Sequence, residues 1–161
     1  MDILELTDEK EIKRAIELAN RTFAKFVAPS YSVRGRKTFR AFLNFKFEMY
    51  MTEMKNGEKR LWAVYDGDDM AAMMATRNTT HLCLLFVDEP YMRRGIGRLL
   101  TDFLIEMLRG KTDVITVNSS PYAVGFYEHL GFVRTARAKM SEGIVYYPME
   151  LVIKDKKDGT D

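Results

Sequence analysis

The sequence predicts a single domain of the mixed α/β class, and three observations predict it. Apolar residues recur at helical spacing over 12–23 and again over 99–108. Two strand-like runs flank an Asp-Gly turn at Asp66 and Gly67. Compact apolar runs stand at 81–87 and 114–117, on either side of the second helical segment. Strands that alternate with helices in a chain of 161 residues need crossovers, so the sheet should be antiparallel in its hairpin and parallel where a helix intervenes.

The elements follow in order. A short apolar-leaning stretch at 3–6 precedes Asp8, which with Glu11 has capping-box spacing and starts a helix at residue 8 or 9. Ile12, Ala15, Ile16, Ala19 and Phe23 form its apolar stripe, and Pro29 with Ser30 closes it. Aromatics and methionines over 38–54 fit one broken helix or two short ones, either packed into the core or in part walling a pocket for an apolar acceptor. The hairpin strands run over 61–65 and 70–76, and the apolar run at 81–87 is central in the sheet. A Gly-containing turn leads to the helix over 99–108, capped at Gly110. A strand at 114–117, a short helix over 121–130 and strands at 132–135 and 144–153 complete a domain over 1–153. Residues 154–161 read as a charged, frayed tail.

Composition narrows the function. The chain carries 25 basic and 23 acidic residues, a formal net charge of +2, which argues against a dedicated nucleic-acid binder. A single cysteine, Cys83, excludes an intrachain disulfide or a cysteine metal cluster, and no metal is expected. The N-terminus is acidic where a secretory signal would be basic, and the longest apolar runs fall far short of a bilayer span. A cytoplasmic protein that does not engage a membrane is expected.

The most informative segment is the turn Met92-Arg93-Arg94-Gly95-Ile96-Gly97-Arg98 between the central strand and its helix. A helix start leaves backbone N–H groups without intrahelical partners, and their aligned dipoles favour an anion by about 0.3–1 kcal/mol. Gly95 and Gly97 lack Cβ atoms, so a phosphate can approach the backbone, and Arg93, Arg94 and Arg98 add charge at the mouth. Two known phosphate loops fail. A dinucleotide fingerprint would need a small residue at Leu100 and an acid near 116–119, and a Walker A loop would need glycine at Ile105.

About twenty residues on stands Val117-Asn118-Ser119-Ser120-Pro121-Tyr122-Ala123-Val124-Gly125-Phe126-Tyr127-Glu128-His129-Leu130-Gly131-Phe132. Over residues 81–134 the two segments together resemble the paired cofactor motifs of the GNAT superfamily of N-acetyltransferases, which use acetyl-CoA. The family commonly has Gln or Arg where this chain has Met92, so one side-chain donor is missing. The resemblance implies a twisted, mostly antiparallel mixed sheet with one splayed parallel strand pair, flanked by helices. It implies acetyl-CoA as cosubstrate and an amine acceptor, small molecule or peptide, and a homodimer is frequent in such folds. Main chain at Leu85, Phe86 and Val87 would pair with the pantetheine arm, with Asn118 near it and Ser120 beside it. Main chain at 92–98, Ile96 included, would cradle the diphosphate.

By the same resemblance Tyr127 would sit at the thioester sulfur. A phenol of pKa about 10 is protonated at neutral pH and can donate to a departing thiolate, an effect of about 10²–10⁴-fold. The acceptor amine, if lysine-like, costs about 4.6 kcal/mol to present deprotonated at pH 7. Many relatives relieve this with a Glu on the central strand; here that strand has no acid, and His81 is the candidate base. His129 falls on another helix face and is expected to be solvated, and Cys83 to be a buried, inert thiol. Acceptor choice is assigned to 26–47, with Tyr31, Arg34 and Arg36, and to 140–147. Direct acetyl transfer is the first reading; a non-catalytic acyl-CoA sensor and a cofactor-free interaction domain are the alternatives.

Overall fold

The structure, a computed structural model, describes residues 1–44 and 47–153; Phe45 of the aromatic run and the expected tail at 154–161 lie outside the described residues. Strands β1 (Asp2–Glu5), β2 (Lys59–Asp66), β3 (Asp69–Arg77) and β4 (His81–Val87) are followed by β5 (Val114–Ser119), β6 (Val133–Arg134), β7 (Lys139–Ser141) and β8 (Ile144–Val152). The helices are α1 (Glu9–Thr22), α2 (Val33–Asn44), α3 (Phe47–Lys55), α4 (Ile96–Leu108) and α5 (Val124–His129). The strands form one sheet in the order β1-β2-β3-β4-β5-β8-β6, with β7 beside β8. Every pairing is antiparallel except β4 with β5.

Local chemistry explains the boundaries. The Asp8 carboxylate accepts the Glu11 amide at 3.2 Å, and Ile12, Ala15, Ile16 and Ala19 are buried as the stripe requires. The coil then changes pitch: a π turn over Phe23–Val27 and a 3-10 turn over Ala28–Ser30 carry the chain past the point where α1 ends. α2 starts at Val33, earlier than the expected residue 38, because Ser32 Oγ accepts the Gly35 amide at 3.0 Å and caps it. The charge run at 34–37 is therefore the first turn of a helix, and Arg34 pairs with Glu142 at 3.0 Å.

The sheet separates two cores. α4 packs Leu100, Leu104 and Leu108 on one face, against Trp62, Val64, Met74, Leu82, Ile115 and Val117. α1 and α3 cover the other face, with Ile12, Leu18 and Tyr50 against Leu61, Ala63, Met73 and Leu84. Both faces are closed over β4, which accounts for its unbroken apolar run. β4 also carries a bulge. Thr76 stands opposite Leu82 and Ala75 opposite Leu84, so Cys83 is the extra residue. The bulge shifts the side-chain phase: Leu82, Leu85 and Val87 face the α4 core, while Cys83, Leu84 and Phe86 face the α1 core.

The parallel pair is splayed. β4 and β5 share only the registers His81↔Thr116 and Leu82↔Val117. Beyond them β4 stays with β3 as far as Val87 and β5 stays with β8 as far as Ser119, so a gap opens between the two central strands. The strand expected at 132–135 shortens to Val133–Arg134, and β7 is an element the periodicity does not reveal: three exposed residues, Lys139–Ser141, turned back on β8 through Glu142 (φ 52°) and Gly143 (φ 82°). None of the described helices is long and apolar enough to cross a membrane.

Candidate functional site

The mouth of the gap lies where β4 hands over to α4. Here the chain takes two left-handed steps, Arg93 (φ 62°) and Gly95 (φ 78°), and Leu99 is the first amide to bond back into the helix, to the Gly95 carbonyl at 2.9 Å. Among the described residues, no protein acceptor meets the amides of residues 93–98. A run of outward N–H groups at a helix start is a site for phosphate oxygens. Arg93, Arg94 and Arg98 are exposed around it. The Arg94 guanidinium lies 5.4 Å from the centre of the Tyr91 ring, and Arg98 Nη2 donates to the His129 carbonyl at 3.3 Å. Met92 is half-buried after the turn Glu89–Tyr91 and offers no side-chain donor.

The two glycines have different reasons. A Cβ at Gly95 would meet nothing within 4 Å, so its requirement is the positive φ. A Cβ at Gly97 would stand 2.6 Å from Cζ of Phe126. The absence of a Cβ at Gly97 therefore also admits the Phe126 ring, and through it the close approach of α5 to α4. The neighbouring Ile96 side chain is buried, so its main chain alone can contribute to the mouth.

In the gap itself, the Asp88 amide donates to Ala71 of β3 at 2.8 Å, and Phe86 stands opposite Met73. Strand alternation then turns the main chain of Leu85 and Val87 toward the open side, whereas Phe86 presents its backbone to β3. On the other wall Asn118 is exposed, and Ser120 Oγ accepts the Ala123 amide at 3.2 Å, which commits it to capping.

Tyr127 is 6% exposed, its ring 5.2 Å from that of Phe126 and 5.3 Å from that of Phe132. Its hydroxyl has no hydrogen-bond partner among the described residues, and burial holds its pKa well above the usual phenol range, so it is protonated. His81 stands at the vertex of the gap, where Nδ1 lies 2.8 Å from Thr116 Oγ1. Burial, with help from Arg77, lowers its pKa to about 4, so the ring is neutral at pH 7. Cys83 is half-buried with Sγ 3.4 Å from the Ala75 carbonyl, and burial raises its pKa, which keeps it a thiol. His129 is exposed. Among the described residues no group of three or more His, Cys, Asp or Glu could hold a metal.

The segments expected to select the acceptor meet over β4. Tyr31 is buried against Phe23 and Phe39, and its pKa is pushed up to about 12 by burial. Phe39 in turn contacts Phe86. α2 is clamped to the β7–β8 turn, where Thr38 Oγ1 donates to the Glu142 carbonyl at 2.6 Å and a Cβ on Gly35 would stand 2.4 Å from the Gly143 oxygen. Arg36 Nε donates to the Tyr31 carbonyl at 3.3 Å. Sequence reasoning overlooked Thr116 and Phe126. The only signal for Thr116 is a polar residue between Ile115 and Val117, an alternation that many surface strands share.

A peptidyl-lysine N-acetyltransferase from Salmonella typhimurium, YjaB, is 31% identical over 93 residues, which span 57% of this chain and 63% of that relative. The crystal structure of a GCN5-related N-acetyltransferase from Rhodopseudomonas palustris superposes with a TM-score of 0.75 at 16% identity, covering 94% of each chain. The PaiA N-acetyltransferase of Thermoplasma acidophilum, solved with coenzyme A, superposes with a TM-score of 0.72 at 16% identity, covering 94% of this chain and 99% of that one. The sequence model of the acetyltransferase (GNAT) domain matches residues 27–153. With most of its length inside that match, and with the splayed strands and open amide turn described above, the chain belongs to the GNAT acetyltransferase family.

Proposed function

We propose that this protein transfers the acetyl group of acetyl-CoA to a lysine side-chain amine of a peptide or protein, by direct attack. One observation carries the reading: the parallel strands β4 and β5 part company beside a turn whose amides at 93–98 meet no acceptor among the described residues. A diphosphate would satisfy those amides, with Arg93, Arg94 and Arg98 around it, and the pantetheine amides would pair with the main chain of Leu85 and Val87. Asn118 would line the opposite wall. A PaiA relative solved with coenzyme A supports the cosubstrate, and a peptidyl-lysine N-acetyltransferase relative supports the acceptor class.

In this mechanism the neutral amine attacks the thioester carbonyl, the C–N bond forms and the C–S bond breaks. Tyr127 donates its phenolic proton to the departing sulfur. His81 cannot serve as a base for a free ammonium: the gap between about 10.4 and about 4 corresponds to roughly 9 kcal/mol. It accepts a proton only once the nitrogen carries the new bond to carbon and has become far more acidic. Solvent then returns that proton to the Tyr127 phenolate.

The test is thiol release from acetyl-CoA with lysine-bearing peptides, followed by mass spectrometry of the peptide. Release coupled to a gain of one acetyl group on lysine is expected; tight coenzyme A binding with no peptide product would instead identify a sensor.

A further inference from the structure

The registers line up five side chains across the sheet on the face away from α4: Lys59 opposite Arg77, Arg77 opposite His81, His81 opposite Thr116 and Thr116 opposite Glu150. At the β5 end of this row only His81 and Thr116 touch, at 2.8 Å. A threonine hydroxyl has one proton to give and can also accept. Two acceptors compete for that proton: the lone pair of a neutral imidazole nitrogen, and the Glu150 carboxylate on the neighbouring strand. Directly paired strand residues have Cβ atoms about 4.5–5.5 Å apart, within reach of a glutamate directly or through one water. A hydrogen bond to a charged acceptor is about twice as strong as one to a neutral group. Glu150 is half-buried, stands directly opposite Thr116 and forms no ion pair among the described residues.

We propose that Thr116, oriented by Glu150, is the positioning residue of His81: it accepts the Nδ1–H and so fixes the tautomer whose Nε2 carries the lone pair. The inference rests on the reading of His81 as the proton acceptor and adds what sets that acceptor's direction. Arg77, next to His81 on the other side of the row, carries donors only and cannot take the Nδ1 proton. Without Thr116 the ring would be free to adopt the tautomer with Nε2 protonated, which has no lone pair to offer there.

The chain has two histidines, so side-chain ¹⁵N spectra of the labelled protein contain two imidazoles, and His129→Gln assigns them. At pH 7 His81 is expected as the Nδ1–H tautomer. Thr116→Val should move it toward Nε2–H and lower kcat on a lysine peptide about tenfold while the Kd for coenzyme A stays unchanged. Thr116→Ser should restore both, and Glu150→Gln should weaken the tautomer preference. An Nε2–H tautomer in the unmutated protein, or an unchanged Nδ1–H tautomer in Thr116→Val, would overturn the proposal. Full activity in His81→Gln, where the unmutated protein shows the Nδ1–H tautomer, would instead reject the part given to His81 in the transfer.

Discussion

Tyr127 and His81 show how burial holds two titratable side chains in opposite protonation states. Desolvation disfavours the charged form of each, so the phenol keeps its proton and the imidazole stays without one. On the proposed mechanism, Tyr127→Phe removes the donated proton alone and should lower kcat by about a hundredfold or more, with coenzyme A affinity unchanged by calorimetry. The pH dependence of stability follows from His81. Its folded pKa of about 4 lies below the ordinary value of 6.5, so the unfolded chain binds more protons between these values. Stability is therefore complete above about pH 6.5 and falls as the solution is acidified toward pH 4. His81→Gln should flatten that limb when melting temperature is followed from pH 7 to pH 4. Tyr127 was legible in the sequence because Phe-Tyr before Leu-Gly-Phe is a local pattern. Thr116 was not, because its partner is 35 residues away and meets it only through strand register.

At the scale of elements, the close approaches at Gly97 and Gly35 differ in what they press against. At Gly97 the obstacle is the far end of Phe126, a side chain 40% exposed that can swing outward. Gly97→Ala should cost about 1 kcal/mol in chemical denaturation, with Phe126→Leu in the same chain recovering most of it. At Gly35 the obstacle is a carbonyl oxygen of the β7–β8 turn, which has no rotamer to change. Gly35→Ala should cost about 2–3 kcal/mol and pull α2 away from that hairpin. Helix periodicity and the Asp-Gly hairpin were readable because each is set by residues a few positions apart. The start of α2 at Ser32 and the strand β7 were not. Ser32 precedes a run of charges that hides the helix, and β7 is short, exposed and stable only as the partner of β8.

For the molecule as a whole, one bulge governs the arrangement. Cys83 adds a residue to β4, changes which side chains face each core, and occurs where β4 and β5 stop pairing. The overall fold class followed from the order of elements, whereas the gap was expected only through the family resemblance, since strand separation depends on neighbours far along the chain. The open turn beyond the gap also has a consequence for any sample in solution. Among the described residues no acceptor meets the main-chain N–H groups of 93–98, so those at the exposed positions 93–95 and 98 should exchange with deuterium quickly in the bare chain and slowly once coenzyme A is added. Following that short peptide by mass would report the fraction of loaded molecules without any acceptor being known.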